Sequence, residues 1–192
     1  MWLWAIGMPL TVLGEVPPND RYVIVSNHIS YLDTINIFAA MPGYFRALGK
    51  KEISKIPVLG FVYRQIVIMV DRSNPESRAQ SIRTMQHALN EEGNVYIFPE
   101  GTFNETNHVL KDFYNGAFKL AISTQTSILP VIFPDTVKRW HYSAWWKLYP
   151  GRNRAVFLPP ISVKGMVMED TQQLKKHVYG IMESALSKQS AQ

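Results

Sequence analysis

Residues 22–33 read YVIVSNHISYLD, and this stretch constrains the fold more than any other part of the 192-residue chain. Its first half, Tyr22–Ser26, is apolar and β-branched at consecutive positions, which is typical of a strand buried on both faces. Its second half contains Ser30, a favourable N-cap residue for a helix. A buried strand that runs directly into a helix is the repeating unit of an α/β fold.

Strand-like and helical segments alternate along the rest of the chain. The further predicted strands are Gln65–Val70, Val95–Phe98, Ile128–Phe133 and Ala155–Leu158. One predicted helix begins after Asn74, with Pro75 in its first turn, and ends before Gly93. Asn115–Thr124 and Thr171–Leu186 are also predicted to be helical. We therefore expect one domain over residues 1–192, with an α/β fold and a largely buried mixed sheet flanked by helices.

The composition favours a compact domain that contacts an apolar or anionic partner. Hydrophobic residues make up 46% of the chain, charged residues only 18%, and the net charge is +5. A net positive charge favours binding to phosphorylated ligands, to CoA or to an anionic membrane face. The sequence has no Lys/Arg block and no nucleic-acid module, so nucleic acid is not expected as a partner. Because the chain has no cysteine, disulfides, thiolate zinc sites and a cysteine nucleophile are excluded.

Two segments suggest contact with a membrane. Residues 1–13 are apolar but are interrupted by Gly7 and Pro9, and no apolar run reaches the roughly 18–20 residues that span a bilayer. This segment is an interfacial membrane anchor, the stub of a longer membrane element, or the first element of the core. Lys138–Tyr149 mixes aromatic rings with cations, which fits either a membrane interface or the edge of an aromatic core.

His28 and Asp33 are a candidate catalytic pair. On a regular helix two side chains five residues apart point roughly 140° away from each other, so the pair meets only if one residue lies outside the helix. Ser30 as the N-cap leaves His28 in the preceding turn. An aspartate that accepts from one ring nitrogen would let the other nitrogen take a proton from an alcohol. In the alternative interpretation, Asp33 is only the acid of a capping box that begins at Ser30.

A second candidate site lies at residues 98–102, Phe-Pro-Glu-Gly-Thr, where another predicted strand ends. Gly101 permits close approach of the backbone, and Thr102 with nearby N–H groups suits an anion or a hydroxyl. Glu100 would accept hydrogen bonds from an acceptor hydroxyl or hold a basic residue. In the alternative interpretation, the strand simply ends in a turn that contains Pro99 and Gly101.

Together, the two segments resemble the glycerolipid acyltransferase family typified by 1-acyl-glycerol-3-phosphate acyltransferase. Residues 27–33 are similar to its N-H-x-x-x-x-D block, and residues 98–102 to its F-P-E-G-T block. Between them, residues 50–52 and 56–60 resemble its K-K-E and I-P-x-x-G stretch, and residues 68–72 its strand that ends in D-R. Residues 116–118 and 129–131 resemble its G-A-F helix and its last, proline-containing block, so the resemblance runs from about Tyr22 to Val131.

The resemblance implies a glycerolipid acyltransferase-like fold and acyl transfer to a lysophospholipid hydroxyl, above all that of 1-acyl-glycerol-3-phosphate, in phospholipid biosynthesis. It implies that His28 is the general base and Asp33 its orienting partner. The implied acceptor-binding residues are Arg72, Glu100, Gly101 and Thr102, and Pro130 would lie on the donor side. The donor would be acyl-CoA or acyl-carrier protein, with no metal and no further cofactor. The enzyme would be peripheral or interfacially anchored on the cytoplasmic face of a membrane.

Two positions depart from the family pattern. Phe103 stands where the family usually has arginine, and Tyr114 stands where it usually has lysine. Both missing cations would help to hold a phosphate, and Lys111 or Lys119 could compensate. Other acceptors therefore stay open, namely glycerol-3-phosphate, a lyso-ornithine lipid or another lysolipid. A catalytically silent lipid-binding module is the alternative from a different class.

Overall fold

The computed structural model of the chain describes residues 2–18, 20–51, 54, 66–71, 74–144 and 146–190. These residues form the strands β1 (Leu10–Leu13), β2 (Val23–Ser26), β3 (Phe45–Lys50), β4 (Val67–Val70), β5 (Asn94–Ile97), β6 (Ile128–Ile132) and β7 (Asn153–Phe157). The helices are α1 (Trp2–Ala5), α2 (Tyr31–Ala40), α3 (Pro75–His87), α4 (Gly116–Thr124), α5 (Thr136–Arg139) and α6 (Thr171–Ser190). A π-helical turn, Ala88–Glu92, follows α3, and a 3₁₀ turn, Met168–Asp170, precedes α6.

The strands form one mixed sheet in the order β1-β7-β6-β2-β5-β3-β4. The five strands from β6 to β4 in this order run parallel to one another. β7 is antiparallel to β6, and β1 is parallel to β7. The predicted mixed sheet is therefore confirmed, and β2, which carries the opening stretch of the sequence, lies at its centre.

Helices cover both faces of the sheet. Val23 and Val25 of β2 face a core built with α3, α4 and α6. Ile24, between them, faces the opposite core, which contains Ile37 of α2. All three β2 residues are completely buried. A strand that is buried on both faces needs apolar residues at every position, which explains the continuous apolar run in the sequence.

Over the described residues, each strand predicted from the sequence is present within two residues of its expected bounds, but β1 and β3 were not predicted. Gln65, the first residue of one predicted strand, lies outside the described residues. β3 contains Arg46, Gly49 and Lys50, and only Phe45 and Ala47 are buried. Its apolar alternation is therefore too short to be recognised. β1 pairs with β7 on one side only, and most of it is exposed. A strand at the edge of a sheet needs little apolar surface, so its pattern is weak.

The predicted helices are confirmed, with differences at their ends. The Asn74 side chain caps α3 by accepting from the N–H of Glu76 at 2.9 Å and of Ser77 at 3.4 Å. The helix widens into the π-helical turn before it reaches Gly93, the predicted stop, which has φ 142°. α6 extends to Ser190, four residues beyond the predicted end.

The first residues of the chain contribute both to the core and to the surface. Leu3 and Met8 are buried together with Leu32 of α2, whereas Trp4 is 77% exposed. Within the described parts of the chain, every helix is too short or too polar to pass from one side of a bilayer to the other.

Candidate functional site

The candidate site lies where three neighbouring parallel strands end. β2 is followed by His28, β5 by residues 98–102, and β6 by residues 133–136. Because β6, β2 and β5 are adjacent and parallel, their carboxyl ends meet at one edge of the sheet. This edge is where open α/β folds place their ligands.

The structure brings His28 and Asp33 together. Nδ1 of His28 lies 3.3 Å from Oδ2 of Asp33. Ser30 is the N-cap of α2, so His28 lies in the turn before the helix, as predicted. The histidine side chain is 16% exposed, whereas Asp33 is completely buried. If the proton of the ring is on Nδ1, the contact leaves Nε2 as a base.

The same carboxylate closes the capping box of α2. Its Oδ2 accepts from the N–H of Ile29 and from the N–H of Ser30, both at 2.7 Å. The Ser30 hydroxyl in turn accepts from the N–H of Leu32 at 3.0 Å. The two interpretations from the sequence are therefore compatible, because one oxygen of Asp33 caps the helix and also faces the histidine ring.

Thr136 supplies a further contact that sequence reasoning missed. Its hydroxyl donates to Oδ1 of Asp33 at 2.6 Å, and both residues are completely buried. Thr136 follows β6 and begins α5. No local pattern around it signals this role, because its partner lies 103 positions away in the sequence.

Asn27 fixes the backbone immediately before His28. Its side-chain oxygen accepts from the N–H of Phe133 at 2.8 Å, and its amide nitrogen donates to the Phe133 carbonyl at 3.2 Å. The exchange ties the end of β2 to the end of β6. On the other side, the carbonyl of His28 accepts from the N–H of Asn104 at 2.7 Å. The backbone at His28 is thus held by loops that follow all three strands.

Aromatic side chains surround the imidazole of His28. The Phe98 ring stacks on it with centroids 3.6 Å apart and an interplanar angle of 18°. The Phe103 ring lies 4.3 Å away at 44° and also contacts Tyr31 and Tyr142. Position 103, where the family pattern has a cation, is therefore part of an apolar wall beside the ring.

Glu100 joins the two sequence motifs from a buried position. Its Oε1 accepts from the N–H of His28 at 2.7 Å, and its Oε2 accepts from the N–H of Lys111 at 3.0 Å. Burial raises the pKa of Glu100 to about 7, although the two backbone N–H groups act in the opposite direction; the nearby Asp33 adds to the rise. Both oxygens of Glu100 are therefore engaged by the main chain.

The turn that follows carries the other predicted acceptor-binding residues. Gly101 has φ 75°, and its N–H donates to the Phe98 carbonyl at 3.0 Å. The left-handed conformation explains the glycine at this position. Thr102 is exposed, and its hydroxyl accepts from Nζ of Lys111 at 2.7 Å. Lys111 thus brings a cation to the turn.

A cavity of about 670 Å³ opens beside this turn. Gly101 and Thr102 line it, together with the polar side chains of Ser81, Tyr114 and Asn115. Apolar side chains from β3, β4, α3 and α4 also line it, namely Leu48, Val70, Ile82, Met85 and Ala117. A cavity lined by both apolar and polar groups suits an amphipathic ligand.

Two predicted site residues lie apart from this cluster or outside the described residues. Pro130 is buried within β6, where it pairs with Val25 of β2, and its carbonyl accepts from the N–H of Leu158 at 2.9 Å. Its role on the donor side stays a prediction. Arg72 lies outside the described residues, as do residues 52 and 56–60 of the intervening blocks.

Comparisons with known proteins agree with this architecture. The 1-acyl-sn-glycerol-3-phosphate acyltransferase alpha of Ovis aries is 28% identical over 179 residues, which cover 92% of this chain and 62% of that protein. The 1-acyl-sn-glycerol-3-phosphate acyltransferase of Cocos nucifera is 32% identical over 73% of this chain and 46% of its own length. That of Haemophilus influenzae is 26% identical over 88% of this chain and 69% of its own length. The chain thus spans less than two thirds of the sheep and coconut proteins.

A solved structure has the same fold. The 1-acyl-sn-glycerophosphate (LPA) acyltransferase PlsC from Thermotoga maritima superimposes with a TM-score of 0.81 at 23% identity, covering 100% of this chain and 75% of that one. The family model described as Acyltransferase matches residues 10–134, which is more than half of the chain and includes both His28–Asp33 and the turn at Glu100. The chain therefore belongs to the acyltransferase family.

Proposed function

We propose that this protein is an O-acyltransferase that moves a fatty acyl group from acyl-CoA or acyl-carrier protein to the free hydroxyl of 1-acyl-glycerol-3-phosphate, in phospholipid biosynthesis. The observation that carries the proposal is the 3.3 Å contact between His28 and the buried Asp33. The names of the sheep, coconut and Haemophilus relatives support lysophosphatidate as the acceptor.

His28 acts as the general base in this reaction. With Nδ1–H directed at Asp33, Nε2 takes the proton of the acceptor hydroxyl while the hydroxyl oxygen attacks the thioester carbonyl carbon. The tetrahedral intermediate then loses its C–S bond, and the imidazolium returns the proton to the leaving thiolate. Asp33 faces the positive charge that forms on the ring, so the charge is stabilised without rearrangement of the site.

The acceptor phosphate is bound at the turn formed by residues 100–102. Lys111 places its ammonium group 2.7 Å from the Thr102 hydroxyl, and its backbone is tied to Glu100. A cation held next to an exposed hydroxyl suits the charge-assisted hydrogen bonds that phosphate makes. Arg72, outside the described residues, is the second cation of this proposal.

A different lysolipid acceptor is favoured by one observation. Phe103 covers the His28 ring with an aromatic side chain where a cation would serve a phosphate. A lyso-ornithine lipid or another lysolipid depends less on that cation, and glycerol-3-phosphate has no acyl chain for the apolar cavity. A silent lipid-binding module is disfavoured because lipid binding alone requires neither His28 nor Asp33.

The protein works at a membrane surface, in this proposal on its cytoplasmic face. Trp4 and Trp146 are 77% and 64% exposed, and the N–H of Gly151 donates to the Gly7 carbonyl at 2.8 Å, which joins the N-terminal segment to the loop after α5. We call residues 3–9, 140–144 and 146–150 the aromatic face. It reaches the site because Tyr31 contacts both Trp140 and Phe103. Exposed tryptophan side chains are typical of proteins that contact a membrane at headgroup depth.

Replacing His28 by alanine should abolish acyl transfer while the fold is retained. A general base typically contributes about 10²–10⁴-fold to the rate. The measurement is mass-spectrometric detection of phosphatidate formed from palmitoyl-CoA and lysophosphatidate, with the thermal midpoint as a check of folding. His87→Ala, at an exposed histidine at the end of α3, is the matched control. Activity of His28→Ala within a few-fold of wild type would falsify the assignment.

Lys111→Ala should raise KM for lysophosphatidate, because the phosphate loses a charge-assisted partner. We expect a loss of about ten- to hundredfold in kcat/KM, and partial retention in Lys111→Arg. Wild type and Lys111→Ala should acylate monoacylglycerol equally well, because this acceptor has no phosphate. Lys176→Ala, at an exposed lysine of α6, is the control. If Lys111→Ala and Lys176→Ala behave alike, Lys111 does not bind the phosphate. Arg72→Ala is expected to act in the same direction as Lys111→Ala.

Glu100→Gln should remove a pH dependence from the stability of the protein. Burial raises the pKa of Glu100 from its usual 4.5 to about 7, so between these pH values the folded chain holds a proton that the unfolded chain has released. The contribution of Glu100 to stability therefore falls by up to about 3 kcal/mol as pH rises through this window, and is constant above it. Urea denaturation at several pH values should show wild type losing stability relative to Glu100→Gln. Parallel curves would contradict the burial argument.

Membrane binding should depend on the aromatic face and on lipid charge. The double substitution Trp4→Ala, Trp146→Ala should weaken flotation with phosphatidylglycerol vesicles. The pair Val167→Ala, Met168→Ala, exposed next to the start of α6, should leave it unchanged. Each cation near an anionic surface contributes about 1 kcal/mol and is screened by salt. Equal binding to neutral and anionic vesicles would contradict an electrostatic contribution to membrane binding. Unchanged binding of the double mutant would contradict a contribution of the aromatic face.

A further inference from the structure

The two oxygens of the Asp33 carboxylate have different partners. Oδ2 faces the His28 ring and accepts the two N–H groups at the start of α2. Oδ1 accepts from the Thr136 hydroxyl at 2.6 Å. A hydrogen bond to a charged oxygen is shorter and stronger than one between neutral groups. Thr136 is therefore the group that fixes the side of the carboxylate which the helix cap does not touch.

A second buried network holds Thr136 in place. The preceding residue, Asp135, accepts two hydrogen bonds from Arg154 at 2.7 and 2.9 Å. Arg154 also donates to the side chain and the carbonyl of Gln189 near the end of α6. Asp135 and Arg154 are 5% and 6% exposed. Because β7 and α6 anchor the start of α5, the Thr136 hydroxyl cannot easily move away from Asp33.

We propose that Thr136 is a positioning residue for the reaction and acts through Asp33 on the tautomer and orientation of His28. The kinetic part of this proposal rests on the proposed function, whereas the effect on the tautomer does not. A carboxylate that is already fixed needs no rearrangement when the imidazolium charge forms. Without the hydroxyl, Oδ1 is buried and loses the partner that the described part of the chain gives it. Rotation of the carboxylate to relieve this would move Oδ2 away from the ring.

Thr136 separates two roles that a substitution of Asp33 would combine. Asp33→Ala removes the cap of α2 and the partner of His28 at once. Thr136→Val, which is close to isosteric, removes only the donor to Oδ1 and leaves the capping bonds to Ile29 and Ser30 in place. Thr136→Ser restores the hydroxyl and is the matched control.

The kinetic experiment measures kcat and KM for palmitoyl-CoA and lysophosphatidate. Thr136→Val should lower kcat about tenfold or more while both KM values stay within about twofold of wild type, and Thr136→Ser should recover most of the rate. In an Asp33→Ala background, Thr136→Val should cause no further loss, because residues that act through one another are not additive.

The tautomer experiment does not depend on activity. Ring ¹⁵N shifts of labelled histidine, assigned with His28→Ala, report which nitrogen carries the proton when the ring is neutral. Wild type and Thr136→Ser should show the Nδ1–H form of His28, whereas Thr136→Val should show a mixture. If the wild-type protein has no transferase activity, the proposed function is wrong, but the tautomer test still decides the positioning role of Thr136.

Three results would each overturn the positioning role. The first is a Thr136→Val enzyme within about twofold of the wild-type kcat with an unchanged His28 tautomer. The second is a Thr136→Ser enzyme as impaired as Thr136→Val, and the third is a loss that persists in the Asp33→Ala background. If Thr136→Val does not fold, the comparison of Thr136→Ala with Thr136→Ser decides by the same criteria.

Discussion

The buried carboxylate of Asp33 is the group on which the site depends. A charge without solvent contact destabilises a fold unless hydrogen bonds compensate for the lost hydration. Asp33 obtains them from the N–H groups of Ile29 and Ser30 and from the hydroxyl of Thr136. The N–H groups at a helix start lack intrahelical partners and attract negative charge, so α2 and Asp33 stabilise each other. Because His28 faces the same carboxylate, the proposed base is positioned by the interaction that starts the helix.

Buried polar side chains also form hydrogen bonds with the main chain in the neighbouring loops. Asn27 satisfies both backbone groups of Phe133, and Glu100 accepts from the backbone of His28 and of Lys111. In each case a buried polar side chain at one strand end replaces the water that would otherwise solvate the main chain of a neighbouring loop. The ends of β2, β5 and β6 are thereby joined by buried hydrogen bonds. Such bonds favour a site whose geometry is set before a ligand arrives, as the proposed general base catalysis requires.

Sequence analysis predicted the features that depend on residues close to one another along the chain. The strand at Tyr22–Ser26, the cap at Ser30 and the position of His28 outside the helix all follow from residues within a few positions of one another. Thr136 could not be found in this way, because its hydrogen bond to Asp33 exists only once β6 has been placed beside β2. The contact between Lys111 and Thr102 depends on the path of an irregular loop, which no periodic pattern describes. The edge strand β1 was missed because one unpaired side relaxes the demand for apolar residues.

The wall around His28 links the chemistry to the membrane surface in the proposed function. An arginine at position 103 would bring water to the His28 ring, whereas Phe103 packs against that ring. Phe103 also contacts Tyr31, and Tyr31 contacts Trp140 of the aromatic face, so the apolar wall extends to that face. Water that reached the thioester would compete with the acceptor hydroxyl, so an apolar wall favours transfer over hydrolysis. The head group of the acceptor must then find its cation elsewhere, and Lys111 provides one on the turn that Glu100 holds next to His28. An acceptor anchored in the bilayer would therefore present its head group to the turn and its hydroxyl to Nε2 without leaving the membrane surface.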